Sequence, residues 1–247
     1  MSDKETTLKE KFRLALTSTA KVISDDFQLA DKASNKRKSK DAAEIEINDL
    51  NNPSDFIRLR AETDSAALKK KFSDNAVYKK NLPSNSSSRS LYNIAEKIRY
   101  EALGGKMLKG IEKNFNENYT QLINRKQKDQ LRTKEDVPVT EAFELYMLKK
   151  FHNIKLNSLT SKMLNFWEKD FDQSIYKHIK FLKDNFENQN TYSSRFSKIF
   201  QSMDIFQKED SEETKDENQN EGQDNPSNDN QTKDAEDNKD ENNDQES

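Results

Sequence analysis

The chain has no cysteine among its 247 residues, which excludes disulfides, thiolate metal sites and a cysteine nucleophile. It has two histidines, His152 and His178, too far apart for the i, i+4 spacing of a helical zinc pair. Glycine and proline are scarce, four of each, and Lys and Asn are abundant. That bias resembles AT-rich coding, so composition alone carries little. No apolar run approaches the roughly 18 residues of a membrane helix. The N-terminus, Met1-Ser2-Asp3-Lys4-Glu5, lacks the basic and apolar regions of a signal peptide. A soluble, cytoplasmic protein without membrane contact is the expectation.

Apolar residues are absent in one region above all. Lys208 to Ser247 holds the single apolar side chain Ala235 among 16 acidic residues and 4 lysines, a net of −12. Because the whole chain is −3, residues 1–207 carry about +9. The tail has too few apolar groups to offset its ordering entropy, so 208–247 is expected to be a disordered acidic linker. Residues 1–207 form the expected folded domain.

Within that domain the dominant period is helical. Phe12, Ala15, Leu16, Thr19, Val22 and Ile23 mark one face of a helix over about 5–24. Phe27 and Leu29, then Ile45 and Ile47, alternate with polar neighbours and predict a β-hairpin over about 26–49, its loop carrying Lys32, Lys36, Arg37, Lys38 and Lys40. Asn52-Pro53-Ser54-Asp55 starts a helix expected to reach about Tyr78. Leu91, Ile94, Ala95, Ile98 and Ala102 line the next, which Gly104-Gly105 is expected to interrupt. Met107 to Leu122 resumes the period. Pro138 and Thr140 introduce a helix bearing Phe143, Met147 and Phe151. One continuous stripe, Leu164, Trp167, Phe171, Ile175, His178, Leu182 and Phe186, follows, and Tyr192, Phe196, Ile199, Phe200 and Met203 close the series. The fold class is mainly α, a bundle of six to seven helices with a small hairpin near the N-terminus.

The chemistry expected of the chain is sparse. Gly105 to Gly110 has the glycine spacing of a phosphate loop, but Ile111-Glu112 stand where Lys-[Ser/Thr] must reach phosphate and magnesium. Close packing or positive φ explains the glycines more simply. His178 and Trp167 lie on the apolar stripe and read as boundary or core residues. Acidic pairs fall on solvated helix faces. The Lys36–Lys40 cluster lacks aromatic interleaving, so nucleic acid is not expected as a partner. No catalytic, cofactor or metal residue is assigned.

The segment Ile94 to Phe115 resembles the N-terminal region of the CobT-type subunit of aerobic cobaltochelatase, through Glu96, Arg99, Glu101, Ala102, Leu103, Gly104, Met107 to Gly110 and Asn114-Phe115. Phe12 to Ser24, Arg60 to Leu68 and Leu164 to Trp167 are similar to other stretches of that family, in the same order. The resemblance implies an accessory subunit that binds no cofactor itself. In that family it assembles with an AAA+ ATPase and a large catalytic subunit, and the complex uses ATP and Mg²⁺ to insert Co²⁺ into hydrogenobyrinic acid a,c-diamide. Arg99, Glu101, Gly104, Gly105, Lys106, Met107 and Gly110 are the implied partner-binding residues. The family's C-terminal von Willebrand A domain, with its Asp-x-Ser-x-Ser loop, is expected to be missing, which leaves the large catalytic subunit as an implied partner whose contact through that domain is in question. The alternatives are an adaptor of another AAA+/von Willebrand A pair, and a charge-driven protein or nucleic-acid binding module.

Overall fold

The computed structural model describes residues 3–26, 52–126 and 131–203, all within the first of the chain's two units, Met1–Asp210. The second unit, Ser211–Ser247, and with it the expected acidic tail, lies outside the described residues. So does the expected hairpin beyond Asp26. Among the described residues there is no strand, and the hairpin is not borne out.

The helices are α1 (Asp3–Ser24), α2 (Pro53–Phe72), α3 (Asn75–Lys80), α4 (Ser86–Met107), α5 (Lys109–Arg125), α6 (Val139–Phe151), α7 (Ser158–Asn165), α8 (Glu168–Ile175), a 3₁₀ turn (Tyr176–His178), α9 (Ile179–Asp184) and α10 (Gln189–Gln201). They exceed the six or seven expected because two of the expected helices are broken. The helix begun at Pro53 ends at Phe72, and the Asp74 carboxylate then accepts from the Ala76 and Val77 amides and caps α3. The stripe from Leu164 to Phe186 is divided at Trp167 and at Tyr176–His178, yet Leu164, Phe171, Ile175, Leu182 and Phe186 stay buried. Short helices that turn around a neighbour can keep one face inward, so periodicity survives the breaks.

Asn side chains start several of these helices. Asn85 accepts from Ser88 N at 3.0 Å and Asn188 from Thr191 N at 3.0 Å. Asn157 and Thr160 form a reciprocal capping box. After α6, Asn153 adopts φ 55, a left-handed turn that Asn tolerates, and Ile154 N folds back onto Leu148 O at 3.1 Å.

Helix α4 lies at the centre, packed against α2, α5, α6 and α10. On its α6 side the core is aromatic: Phe143 meets Phe171 and Phe200 at 5.6 Å and Phe196 at 6.5 Å between ring centroids. Helix α1 packs on α2 through Leu16, Ala20 and Ile23, while Ala15, Thr19 and Val22 of the expected face are exposed. A helix with one main neighbour needs only a narrow apolar stripe. Gly104-Gly105 does not interrupt α4, which runs through both to Met107. Neither glycine has positive φ. A Cβ on Gly104 would lie 2.3 Å from Leu68 Cδ1, so close packing is the reason for that glycine. The helix breaks instead at Leu108, extended at φ −141, ψ 118.

Candidate functional site: a buried polar network and the corner above it

The charged residues of the α4 motif point into the molecule. Arg99 is 1% exposed and every guanidinium nitrogen is engaged. Nε donates to Glu96 Oε2 at 3.1 Å, and Nη1 donates to Phe186 O at 3.0 Å. Nη2 donates to Phe72 O at 2.7 Å and Ser73 Oγ at 3.3 Å. Phe72 ends α2 and Phe186 follows α9, so one side chain satisfies carbonyls that these helix ends leave without an intrahelical partner. Only a planar fork with several fixed donors can do this.

Glu96 holds the other side of the network. It accepts from the Ser193 hydroxyl on α10 and from Gln189 Nε2 at 3.4 Å. Gln189 also clasps the Asp74 backbone, accepting from its amide at 2.7 Å and donating to its carbonyl at 3.2 Å. Tyr192 OH donates to Ala95 O at 2.9 Å. A recess of about 630 Å³, lined by Phe72, Ser73, Asp74 and Gln189, opens beside this seam.

Two buried acids occupy the opposite flank of α4. Glu101, 1% exposed, accepts from Ser65 Oγ at 2.6 Å and from the Tyr119 hydroxyl. Burial pushes its carboxyl above the usual range, against Lys97 and those two hydrogen bonds. Asp64 accepts from Asn114 Nδ2 at 2.7 Å through one oxygen, and its other oxygen has no partner. Burial raises Asp64 as well, opposed by Asn114 and Arg60. His152 packs 6.0 Å from Tyr119, its Nε2 buried without a partner. Burial lowers it to about 4, reinforced by Lys97 and Lys183 and opposed by a hydrogen bond to the Ile98 backbone. His152 is neutral near pH 7, in a setting that suits a packed ring. His178 is partly buried and lowered as well. Trp167 is half-buried at the core's edge, its Nε1 donating to Val137 O at 3.0 Å.

The seven residues expected to bind a partner therefore divide. Arg99, Glu101 and Gly104 are inside, and Gly105 is partly buried. Lys106, Met107 and Gly110 come together, exposed, at the one-residue corner between α4 and α5. Leu108, which the motif spans, is 48% exposed beside them. Of the neutral partners of the buried acids, sequence reasoning placed Tyr119 only in the periodic run from Met107 to Leu122 and did not single out Ser65, Gln189 or Ser193. Their signal is a polar residue inside an apolar face. Asp64 and Asn114 do lie in two separate stretches of the family resemblance, and the fold joins them.

Among the described residues no group of three or more His, Asp or Glu could hold a metal ion, and no helix is long and apolar enough to cross a membrane. A second recess, about 650 Å³, lies between Ile57 of α2 and Lys109, Glu112 and Asn116 of α5. The family profile described as cobalamin biosynthesis protein CobT matches residues 7–247. No solved structure matches the chain.

Proposed function

The chain belongs to the CobT family of cobalamin biosynthesis proteins, and from that membership we propose that it is a non-catalytic accessory subunit of an ATP-dependent cobaltochelatase. In this reading it docks on an AAA+ ATPase subunit in the cytoplasm and supports a large catalytic subunit. That subunit inserts Co²⁺ into hydrogenobyrinic acid a,c-diamide, with ATP hydrolysed and Mg²⁺ bound elsewhere in the complex. The family match carries the proposal. The α4–α5 corner supports it, because Met107 and Leu108 stand exposed between Lys106 and Lys109 with the buried network holding the turn in place. Apolar side chains ringed by polar ones are the usual anchors of a protein interface.

The test is retention on an immobilised cognate AAA+ subunit, with ATPase rate as a second readout. The parent chain is expected to be retained and to change the rate. Met107→Asp with Leu108→Asp is expected to weaken retention about tenfold at unchanged melting temperature. If the parent chain neither binds nor alters the ATPase, this function is wrong; binding that survives the double substitution moves the contact to another face.

A further inference from the structure

The stretch Tyr176-Lys-His-Ile-Lys-Phe-Leu-Lys183 carries three lysines and a histidine with no acid. It forms the 3₁₀ turn and α9, and its outer side meets α10. There the Arg195 guanidinium lies over the Phe181 ring at 4.5 Å. Lys198 follows Arg195 by one turn of α10, so both occupy the same side of that helix. Lys177, Lys180, Arg195 and Lys198 form no ion pair with any carboxylate among the described residues. Lys126, Lys134, Lys149 and Lys150 are each paired with an acid, while Lys79, Lys80 and Lys162 are unpaired on other faces among the described residues; what sets this stretch apart is that its unpaired cations stand beside exposed rings. His178 reports the local field, held below its usual value by burial and then by Arg195 and Lys177. Asp184 is the one acid between residues 176 and 186. Asp172, on the preceding helix, is engaged by Lys150 at 3.4 Å and Tyr146 OH at 2.8 Å.

Two large apolar rings are exposed among these cations, Tyr176 at 64% and Phe181 at 36%. We propose that Tyr176, Lys177, Lys180, Phe181, Arg195 and Lys198 form a docking surface for an acidic segment of a separate partner protein. Unpaired cations supply the charge complementarity, and the rings supply apolar contact for side chains between the acids. Arg195 lies over one face of Phe181, and Lys150 Nζ stands 5.3 Å from the Tyr176 centroid. The ring edges and remaining faces stay open, which suits peptide side chains better than bases that stack face on. This surface involves none of the α4–α5 corner, so its fate is independent of the ATPase contact proposed above.

Fluorescence anisotropy of a labelled oligoglutamate peptide with the full chain tests the proposal. Lys177→Glu/Lys180→Glu/Arg195→Glu is expected to weaken binding about tenfold or more. The control Lys79→Glu/Lys80→Glu/Lys162→Glu changes net charge equally and is expected to leave binding nearly unchanged. In the parent chain, the peptide is also expected to shift the His178 ring resonances. Equal weakening in both triple variants would mean diffuse attraction and overturn the assignment, as would no binding at all. Tighter binding of oligodeoxythymidylate, lost in the first variant alone, would make this a nucleic-acid surface and overturn it too.

Discussion

The aromatic cluster around Phe143 and the polar seam around Arg99 both tie α10 to the middle of the bundle, by different physics. Phe143, Phe171, Phe196 and Phe200 meet edge to face or offset, with no hydrogen-bonding atoms to satisfy. Such contacts depend on volume and can relax around a ring of similar size. The seam is different because Arg99 serves four acceptors on three separate pieces of chain. Removing one member leaves the buried polar groups it served without a partner. The aromatic side should therefore be forgiving and the polar side intolerant, and that contrast explains how a motif rich in charge can be structural.

The largest expected effect sets the two regions directly against each other. Arg99→Met keeps the side chain's length but leaves the buried Glu96 without its counter-charge and two carbonyls without donors, at a cost of about 3–5 kcal/mol. Phe143→Leu loses three ring contacts and a little volume but strands no polar group, so it should cost less, about 2 kcal/mol. Denaturant unfolding of both variants decides it, and equal losses would erase the distinction.

Next in size is a pH effect on the flank of the seam. His152 is held at about 4, so the folded state refuses a proton that the unfolded chain accepts near 6.5. Stability present above 6.5 is lost as pH falls towards 4, by roughly 3 kcal/mol in full. His152→Phe should flatten this acid limb in melting curves across the range, and an unchanged limb would place the lability elsewhere.

A smaller effect is expected at Gly104. The Cβ of an alanine would press on Leu68, which is fully buried and cannot swing away. Overpacking of this kind costs about 1–3 kcal/mol, part of it offset by alanine's roughly 1 kcal/mol better helix propensity. Leu68→Ala, itself costing about 2–5 kcal/mol, should add less to Gly104→Ala than it costs alone, and strictly additive losses would argue against the contact. Gly110→Ala, with open space around it, should change little.

The smallest expected change is Glu101→Gln. Because the folded carboxyl is raised, its ionisation works against the fold. The penalty is absent below the ordinary value of 4.5 and grows as pH rises through the folded value. Glutamine removes the charge and keeps an acceptor for Ser65, so stability near neutral pH should shift by less than about 1 kcal/mol, towards the variant. A large loss would show that Glu101 is needed ionised, paired with Lys97.

Much of this fold was legible in the sequence. Helix α6 and the Tyr192–Phe200 helix follow from periodicity because each buries a full apolar face. The breaks at Trp167 and Tyr176 were not legible, since a chain bending around α6 keeps the same spacing that a straight helix would. The passage of α4 through Gly104 was hidden for another reason: the glycine answers to Leu68, far away in sequence. The site was legible only in part. Spacing could mark Glu96, Arg99 and Glu101 as a group, but which way they face depends on Ser193, Gln189 and Phe186, brought in by tertiary packing.

The account stands on Arg99 acting as a fork that joins three parts of the fold, beyond its role as a positive charge. Thermal unfolding of Arg99→Lys tests this most directly, because lysine keeps the charge and loses the planar donors. The predicted result is a loss of at least about 2 kcal/mol, seen as a melting temperature lower by about 4–8 °C for a domain of this size. A lysine variant that melts with the parent chain would contradict it.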